Sequence, residues 1–524
     1  MEMEKKSFLR STSFLILVFT FIYFGTFLSC YAYAILDETA LSMHLWRQSD
    51  AYSIALNYFK EGTSFLEPKI HMMTSTKGRA VGEFPLFYYI NAKIWNLTGV
   101  NFWLPRLINI FYCFGGLLCL FLFCLKVYKN RILAFIPPLV ILFSPVFIFY
   151  TNSFMVNTCA LCSLFYGLFF IYRFQKNDSW IHFFLFVLFM SFAVLFRTTM
   201  AIGIMIIGIT ILYDLIFVSK EKRIFSSHSK IIFGFTIVAV IMLIWLAFAK
   251  SYNAENESTY FLLNPEPFWD CPFPYYVWQE FVTTILPSFH PPLFVLCSIF
   301  IAFQLVIWNK LETQYRIAMF SSIILVLTYY TLWFKQFNVH DYYQIDFYIL
   351  IVITAVLSIK VLENLISKKN IISFSSFILC VLLLRTIGQV RVKYGDSSTF
   401  FVNTFTQKHL FDLYKWMDFD YRNNLRDFKY VEPLMRTAGL TRDDLVYSID
   451  DQSPNFTLSA MDQKGYSSLC LDQNEVGKNI SLMKEKKVKY IIFGKLTSYD
   501  NPEIKGLVSE PIFVYNNIRL CKIE

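Results

Sequence analysis

The chain has 524 residues, of which 56% are hydrophobic, 19% aromatic and only 16% charged. Ordinary soluble domains have about 25% charged residues, so the composition argues against a soluble protein. The net charge of +9 does not indicate nucleic-acid binding. Much of the Lys and Arg falls in short clusters between apolar runs, as in the cytoplasmic loops of membrane proteins.

Apolar runs long enough to span a bilayer recur along the first three quarters of the chain, which predicts a polytopic α-helical membrane protein. The first run, residues 13–36, follows a basic N-terminus. Ala32-Tyr33-Ala34 matches a signal-peptide cleavage pattern, so a cleaved signal peptide is the alternative. The run is longer than the apolar region of about 7–15 residues in a signal peptide. We therefore expect a retained anchor with the N-terminus in the cytoplasm.

The basic clusters orient about eleven predicted spans. We expect them near residues 13–35, 103–125, 132–150, 154–174, 180–196, 200–218, 230–250, 291–308, 317–334, 345–362 and 371–388. The odd number places the C-terminus outside, on the same side as the loop of residues 36–102. If residues 180–196 and 200–218 formed a single span, the predicted membrane orientation of every later segment would be reversed.

Two segments of this first outside loop have helical patterns. Residues 40–60 mix apolar and polar side chains, which predicts an interfacial helix. Residues 86–97 are apolar but too short to span, which predicts a second interfacial or re-entrant helix.

The composition changes at about residue 391, where charge and amides rise. We expect a strand at 443–450, a helix at 474–487, a strand at 489–493 and a hairpin of 512–515 with 518–523. The predicted organisation is a transmembrane domain over residues 1–390 and a small extracytoplasmic α/β domain over 391–524.

Two acids of the first outside loop are candidates for catalysis. Asp50 follows Trp46 and Arg47 on the predicted interfacial helix, where partial desolvation at the bilayer surface would suit a general base. Glu83 precedes Phe84-Pro85 and could bind a divalent metal ion or orient an acceptor. The alternative is that both are ordinary loop carboxylates, with Asp50 paired to Arg47.

Basic and aromatic side chains gather at the predicted outer ends of the helices. A group of cations on one membrane face suits a phosphate or pyrophosphate head group. For each cation the alternative is snorkelling to the interface. The side chains are Arg197, His290, Lys335, His340 and Tyr343.

Common nucleotide and hydrolase motifs are missing from the sequence. It has no GxxxxGK[ST], no GxGxxG after a strand, no HExxH and no GxSxG. We therefore expect no nucleotide cofactor. The sequence also lacks a duplicated pair of Gly/Pro-broken helices, which argues against a transporter built from repeats.

The runs WRQSDAYSIALNYFKEG, GEFPLFYYINAKIWNLTGV and LPRLINIFYCFGGLL resemble the GT-C superfamily of membrane glycosyltransferases. They are most similar to the bacterial branch related to protein O-mannosyltransferases and the aminoarabinose transferase of lipid A. The family's early acid corresponds to Asp50, its Glu-x-Pro-Pro-Leu-like segment to Glu83-Phe84-Pro85-Leu86, and its Arg-Leu helix start to Arg106-Leu107.

The chain departs from the family pattern at three places. The usual Asp-Glu pair is Asp50-Ala51 here, and Phe84 stands where a basic residue is common. An acid that the family often has at the turn between the third and fourth helices is replaced by Asn152 or Asn157.

The resemblance implies roles for the candidate residues. Asp50 would be the general base that activates the acceptor. Glu83 and His290 would bind a divalent metal ion or the head group. The donor phosphate and sugar would be held by Arg47, Arg197, Lys335, His340 and Tyr343.

These expectations define an inverting glycosyltransferase of a bacterial inner or plasma membrane. Its donor would be a polyprenyl-phosphate sugar, and its acceptor a hydroxyl group of a lipid, glycan or protein on the extracytoplasmic face. The alternatives are a non-catalytic flippase or transporter of lipid-linked sugars and a polymerase of lipid-linked glycans. A flippase should carry charges in the middle of its helices, and a polymerase should have a large loop between late helices; this sequence favours neither.

Overall fold

The protein is mainly α-helical. The computed structural model describes residues 11–223, 225, 227–259, 261, 265–289, 291–338, 340–396, 404–469, 471–472 and 475–524. Within these ranges, seven helices are long and apolar enough to cross a membrane. They are Thr12–Ser29, Trp103–Val127, Thr198–Phe217, His228–Glu255, Thr313–Leu332, Asp341–Leu365 and Lys368–Lys393.

Helices also occupy the other four predicted positions. Asn157–Asn177, Trp180–Phe196 and Pro291–Val306 are single helices. Residues 132–150 were predicted as one helix, which is wrong: Arg131–Leu142 and Pro145–Thr151 meet at a bend of 72°. Pro145 explains the break, because proline has no backbone N–H to continue the helix and its ring clashes with the preceding turn.

The polytopic helical class is therefore confirmed. Eleven crossings and the orientation of the two termini stay predictions.

Both predicted helices of the first outside loop are present. The first loop helix is Leu45–Glu61, and it ends at Gly62 in a left-handed conformation that glycine adopts without strain. The second loop helix is Leu86–Thr98. The first loop helix was predicted to lie at the membrane interface, which is wrong, because every residue from Gln48 to Tyr58 is buried within the protein. Its polar side chains face other parts of the protein rather than water.

The C-terminal domain contains a five-stranded sheet within its described residues. The strands are β1 (Val446–Ser448), β2 (Gly465–Ser467), β3 (Tyr490–Phe493), β4 (Phe513–Tyr515) and β5 (Ile518–Lys522). Their order is β2-β1-β3-β5-β4. β1 is parallel to β2 and β3, and β5 is antiparallel to β3 and β4.

The longer α-helices among the described residues of this domain are Lys408–Asp420, Glu432–Thr437, Phe456–Ala460 and Val476–Glu485. Two short ones are Leu496–Tyr499 and Pro502–Lys505. The predicted strands at 443–450 and 489–493, the helix at 474–487 and the hairpin are confirmed. β2 was not predicted, because three residues that begin with glycine have no strand pattern. The predicted boundary at residue 390 falls inside the last turn of Lys368–Lys393.

The first outside loop adds to the edge of this sheet. Met72 forms a parallel bridge with Gly465 of β2, and the Met73 N–H donates to the Gly465 carbonyl at 2.9 Å. Gly465 also packs against β1 so closely that a Cβ would lie 1.9 Å from the Val446 carbonyl oxygen. The loop and the C-terminal domain are thus packed as one unit.

Candidate active site

A cavity of about 290 Å³ lies between the first outside loop and several apolar helices. Five predicted residues line it: Arg47, Asp50, Glu83, Arg197 and Tyr343. Aromatic side chains form much of the remaining wall, among them Trp245, Phe261, Trp333 and Tyr342. The cavity therefore combines two acids, two guanidinium groups and rings on which a sugar could stack.

Asp50 is held in a fixed position rather than solvated. Its residue is 1% exposed, although one side of it reaches the cavity. Oδ1 accepts a hydrogen bond from Asn455 Nδ2 at 2.8 Å. Oδ2 lies 3.7 Å from Arg47 Nη1, one turn back on the same helix face. The alternative of a solvated loop acid is wrong, although the pairing with Arg47 is present.

Glu83 forms the second acidic part of the wall. Its carboxylate forms an ion pair with Arg47 and accepts a hydrogen bond from the Tyr88 hydroxyl. The segment that carries it is fixed on both sides: Val81 N–H donates to Asn253 Oδ1 at 2.9 Å, and Phe84 N–H donates to the Leu195 carbonyl at 3.1 Å. Arg47 therefore contacts both acids and is the charge centre of this half of the cavity.

Arg197 supplies the other guanidinium group. It follows the last residue of Trp180–Phe196, and its Nη2 lies 2.6 Å from Oδ2 of the fully buried Asp346. Its guanidinium also stacks over the Tyr343 ring at 4.8 Å. Thr199 Oγ1 donates to Asp346 Oδ1 at 2.5 Å. Asp346 thus orients Arg197 toward the cavity.

The remaining predicted cations are placed elsewhere. Lys335 forms an ion pair with Glu266 at 2.8 Å and is not part of the described wall. His340 stacks on His44 with ring centroids 5.1 Å apart and is also not part of that wall. His290 lies outside the described residues. Among the predicted substrate-binding residues, the cavity brings together Arg47, Arg197 and Tyr343.

The described side chains do not form a metal centre. No group of three or more His, Cys, Asp or Glu side chains within the described ranges could hold a metal ion. Glu83 is paired with Arg47, and its predicted co-ligand His290 is not described. Metal binding stays a prediction, and we assign no catalytic step to it.

Several residues of the site were not predicted. Asn455 contacts Asp50, and Asp346 contacts Arg197, across long sequence separations. The sequence pattern at Asn455, that of an N-glycosylation site, does not indicate this contact. Asn157 lines the cavity, whereas Asn152 is buried and donates to the Ala32 carbonyl at 3.0 Å. Of the two asparagines considered for the family's second acid, Asn157 is the one at the cavity.

Two crystal structures of ArnT from Cupriavidus metallidurans share this fold. The structure bound to undecaprenyl phosphate superposes with a TM-score of 0.55 and 10% identity over 98% of each chain. The apo structure gives a TM-score of 0.55 and 11% identity over 97% of this chain and 98% of that one. No protein-family model matches the chain, and no curated protein matches it in sequence.

At this level of identity the likeness establishes the fold. The fold that the resemblance implied is therefore confirmed.

Proposed function

We propose that the protein is a multi-pass membrane glycosyltransferase that moves a sugar from a polyprenyl-phosphate donor to a hydroxyl acceptor. The observation that carries the proposal is that the Asp50 carboxylate lines the same cavity as the guanidinium groups of Arg47 and Arg197. ArnT, which has the same fold, has been crystallised with undecaprenyl phosphate, and this supports a lipid phosphate as the donor's carrier. We further propose that transfer takes place on the extracytoplasmic face of a bacterial inner or plasma membrane.

The cavity suits a single displacement at the anomeric carbon. The acceptor hydroxyl attacks this carbon and gives its proton to Asp50, while the bond from the carbon to the phosphate oxygen breaks. Polyprenyl phosphate leaves with the bonding electrons, and the sugar is transferred with inversion. A general base of this kind contributes about 10²- to 10⁴-fold to the rate.

The guanidinium groups of Arg47 and Arg197 would stabilise the charge that develops on the leaving phosphate. Oriented cations in a cavity that excludes water are effective for this purpose, because they need not reorganise during the reaction. Arg197 is held in place by Asp346. Arg47 is 23% exposed and paired with Glu83, so a donor phosphate would compete with Glu83 for this side chain.

The test is donor turnover by the purified protein in lipid nanodiscs. A panel of labelled polyprenyl-phosphate sugars is incubated with hydroxyl acceptors, with and without a chelator. The proposal predicts release of polyprenyl phosphate and a product of inverted anomeric configuration. If the protein bound donors but released polyprenyl phosphate from none of them, the result would contradict the proposal and favour a flippase or transporter. Loss of turnover with the chelator would support the predicted metal.

A further inference from the structure

Asn455 brings the C-terminal domain into direct contact with Asp50. The two residues are 405 positions apart, and Asn455 Nδ2 donates to Asp50 Oδ1 at 2.8 Å. Asn455 is fully buried. The same amide accepts the Met72 backbone N–H at Oδ1, at 2.9 Å. One side chain therefore joins the C-terminal domain to the first loop helix and to the strand-like segment of the same loop.

These two partners fix the orientation of the Asn455 amide. A backbone N–H can only donate, and an ionised carboxylate can only accept. Turning the amide over would place its oxygen against Asp50 and its NH₂ group against the Met72 N–H, and both hydrogen bonds would be lost. Asn455 must therefore present a donor to Asp50.

The turn that carries Asn455 is itself held in place. Asp451, which is buried, accepts hydrogen bonds from the backbone N–H groups of Ser453 at 2.7 Å and Thr457 at 2.8 Å. It also accepts from both of their hydroxyl groups, at 2.6 Å each. The neighbouring Asp450 accepts from Gly494 N–H at 2.8 Å, beyond the end of β3. The carboxyl ends of β1 and β3 thus set the position of Asn455.

Donation to one carboxylate oxygen has two consequences for a general base. It stabilises the ionised form, which keeps the base ready to accept a proton at lower pH. It also holds the carboxylate in one orientation, with Oδ2 on the side of Arg47 and the cavity.

We propose that Asn455 is a positioning residue for transfer, through which the C-terminal domain orients Asp50 and keeps it ionised. This inference rests on the proposed function, in which Asp50 is the general base. Asn455-Phe456-Thr457 has the pattern of an N-glycosylation site, but the fully buried amide is not available for modification.

Other charged and titratable groups also act on Asp50. Arg47 lies on its own helix, and Glu83 acts through Arg47. The hydroxyls of Tyr88, on the second loop helix, and Tyr342, in the first turn of the span Asp341–Leu365, interact electrostatically with Asp50. All four remain in place when Asn455 is changed, so a difference between variants reports on the amide.

The test is the pH dependence of kcat/KM for Asn455→Asp. This variant has the same shape and keeps an oxygen for the Met72 N–H, but it places a second carboxylate against Asp50 in place of the amide donor, so the pair binds a proton more readily. The inference predicts that the acidic limb of the profile moves to higher pH by on the order of one unit, which lowers kcat/KM about tenfold below the limb. Asn455→Ser has a side chain too short to reach Asp50 and should shift the acidic limb in the same direction. If Asn455→Asp does not fold, the profile of Asn455→Ser is the test.

Asn479→Asp is the matched control. Asn479 is a buried asparagine of the same domain, and its Nδ2 donates to the Asp472 carbonyl at 2.8 Å, away from the cavity. This variant should lose stability and keep the wild-type limb. The inference would be overturned if the acidic limbs of Asn455→Asp and Asn455→Ser superposed on the limb of an active wild type. The proposed function would then still stand. A wild type that transfers no sugar would overturn both.

Discussion

Arg197 lies in the cavity wall because Asp346 holds its guanidinium group there. The pair is buried, with Arg197 9% and Asp346 0% exposed. Thr199 and Tyr329 contribute further hydrogen bonds to the pair. A buried pair of this kind need not stabilise the fold relative to apolar residues, but the loss of one partner leaves an uncompensated charge. Removing both members of the pair should therefore test the role of Arg197 in donor binding without leaving a buried, uncompensated charge.

We predict that Arg197→Gln lowers the free energy of unfolding by about 3–5 kcal/mol, because Asp346 loses its counter-charge in a buried position. The double variant Arg197→Gln/Asp346→Asn should regain most of this stability. It should still bind polyprenyl phosphate weakly, because the cavity retains a single guanidinium group. Chemical denaturation and a polyprenyl phosphate binding assay measure the two effects. Wild-type binding by the double variant would show that Arg197 does not contact the donor.

Single residues could be predicted where a local pattern marks them. Asp50 and Glu83 stand in recognisable segments, and Arg197 follows a long apolar run. Lys335 also follows a long apolar run, but the structure pairs it with Glu266. The sequence does not reveal the position of this loop acid. Asn455 and Asp346 could not be predicted, because their importance depends on partners that only the folded chain brings within reach.

At the scale of elements, the first loop helix is fixed against the C-terminal domain by buried polar contacts. Ser53 Oγ lies 2.7 Å from His71 Nδ1, and His71 Nε2 lies 3.1 Å from Asp462 Oδ1. Glu61, at the end of the helix, pairs with Arg442 and Lys464 of the domain and with Lys69 of the loop. These contacts hold the helix in place and so help to position Asp50.

We predict that this attachment weakens in acid. Burial raises the pKa of Glu61, but hydrogen bonds from Lys69 and Lys464 outweigh it and lower the pKa to about 2. The unfolded value is about 4.3, so the ionised carboxylate stabilises the folded state above that pH. The contribution is lost as the pH falls toward 2.

The measurement is Tm between pH 6 and pH 3 for wild type and Glu61→Gln. The variant should have a lower Tm at pH 6 and a flatter decline, because it has no proton to bind at this position. Glu67→Gln is the control, since Glu67 is 45% exposed and lies 3.7 Å from Arg79; its curve should follow that of the wild type. Parallel curves for wild type and Glu61→Gln would contradict the assignment.

Elements were predicted well where one pattern dominates. The apolar helices and the central strand β3 have clear patterns. The first loop helix was predicted as interfacial because it mixes apolar and polar residues, but several of its polar side chains contact the C-terminal domain. The break before Pro145 shows that hydropathy alone does not distinguish one bent segment from a straight span.

At the scale of the whole molecule, the C-terminal domain and the cavity lie at the same end of the membrane helices, because Asn455 of the domain contacts Asp50 in the cavity wall. The predicted orientation therefore decides which leaflet presents the donor. Hydropathy and charge clusters could predict this arrangement coarsely. The association of the domain with the first loop could not be predicted, because it depends on tertiary contacts.

We predict that alkaline phosphatase fused after Glu524 is active in a bacterial host and that a green fluorescent protein at the same position is not fluorescent. Fusions after Lys222, which follows the span Thr198–Phe217, should show the opposite pattern. A fluorescent C-terminal fusion with inactive phosphatase would place the cavity in the cytoplasm and contradict an outer-leaflet donor.

The most direct test of the central claim is sugar transfer by Asp50→Asn beside wild type and Asp37→Asn. Asp37 is an exposed acid of the same outside loop, so its variant controls for the loss of a carboxylate. We predict that Asp50→Asn loses about 10²- to 10⁴-fold in transfer rate, while its binding of polyprenyl phosphate and the activity of Asp37→Asn remain near wild type. Transfer by Asp50→Asn at the wild-type rate would contradict the assignment of Asp50 as the general base.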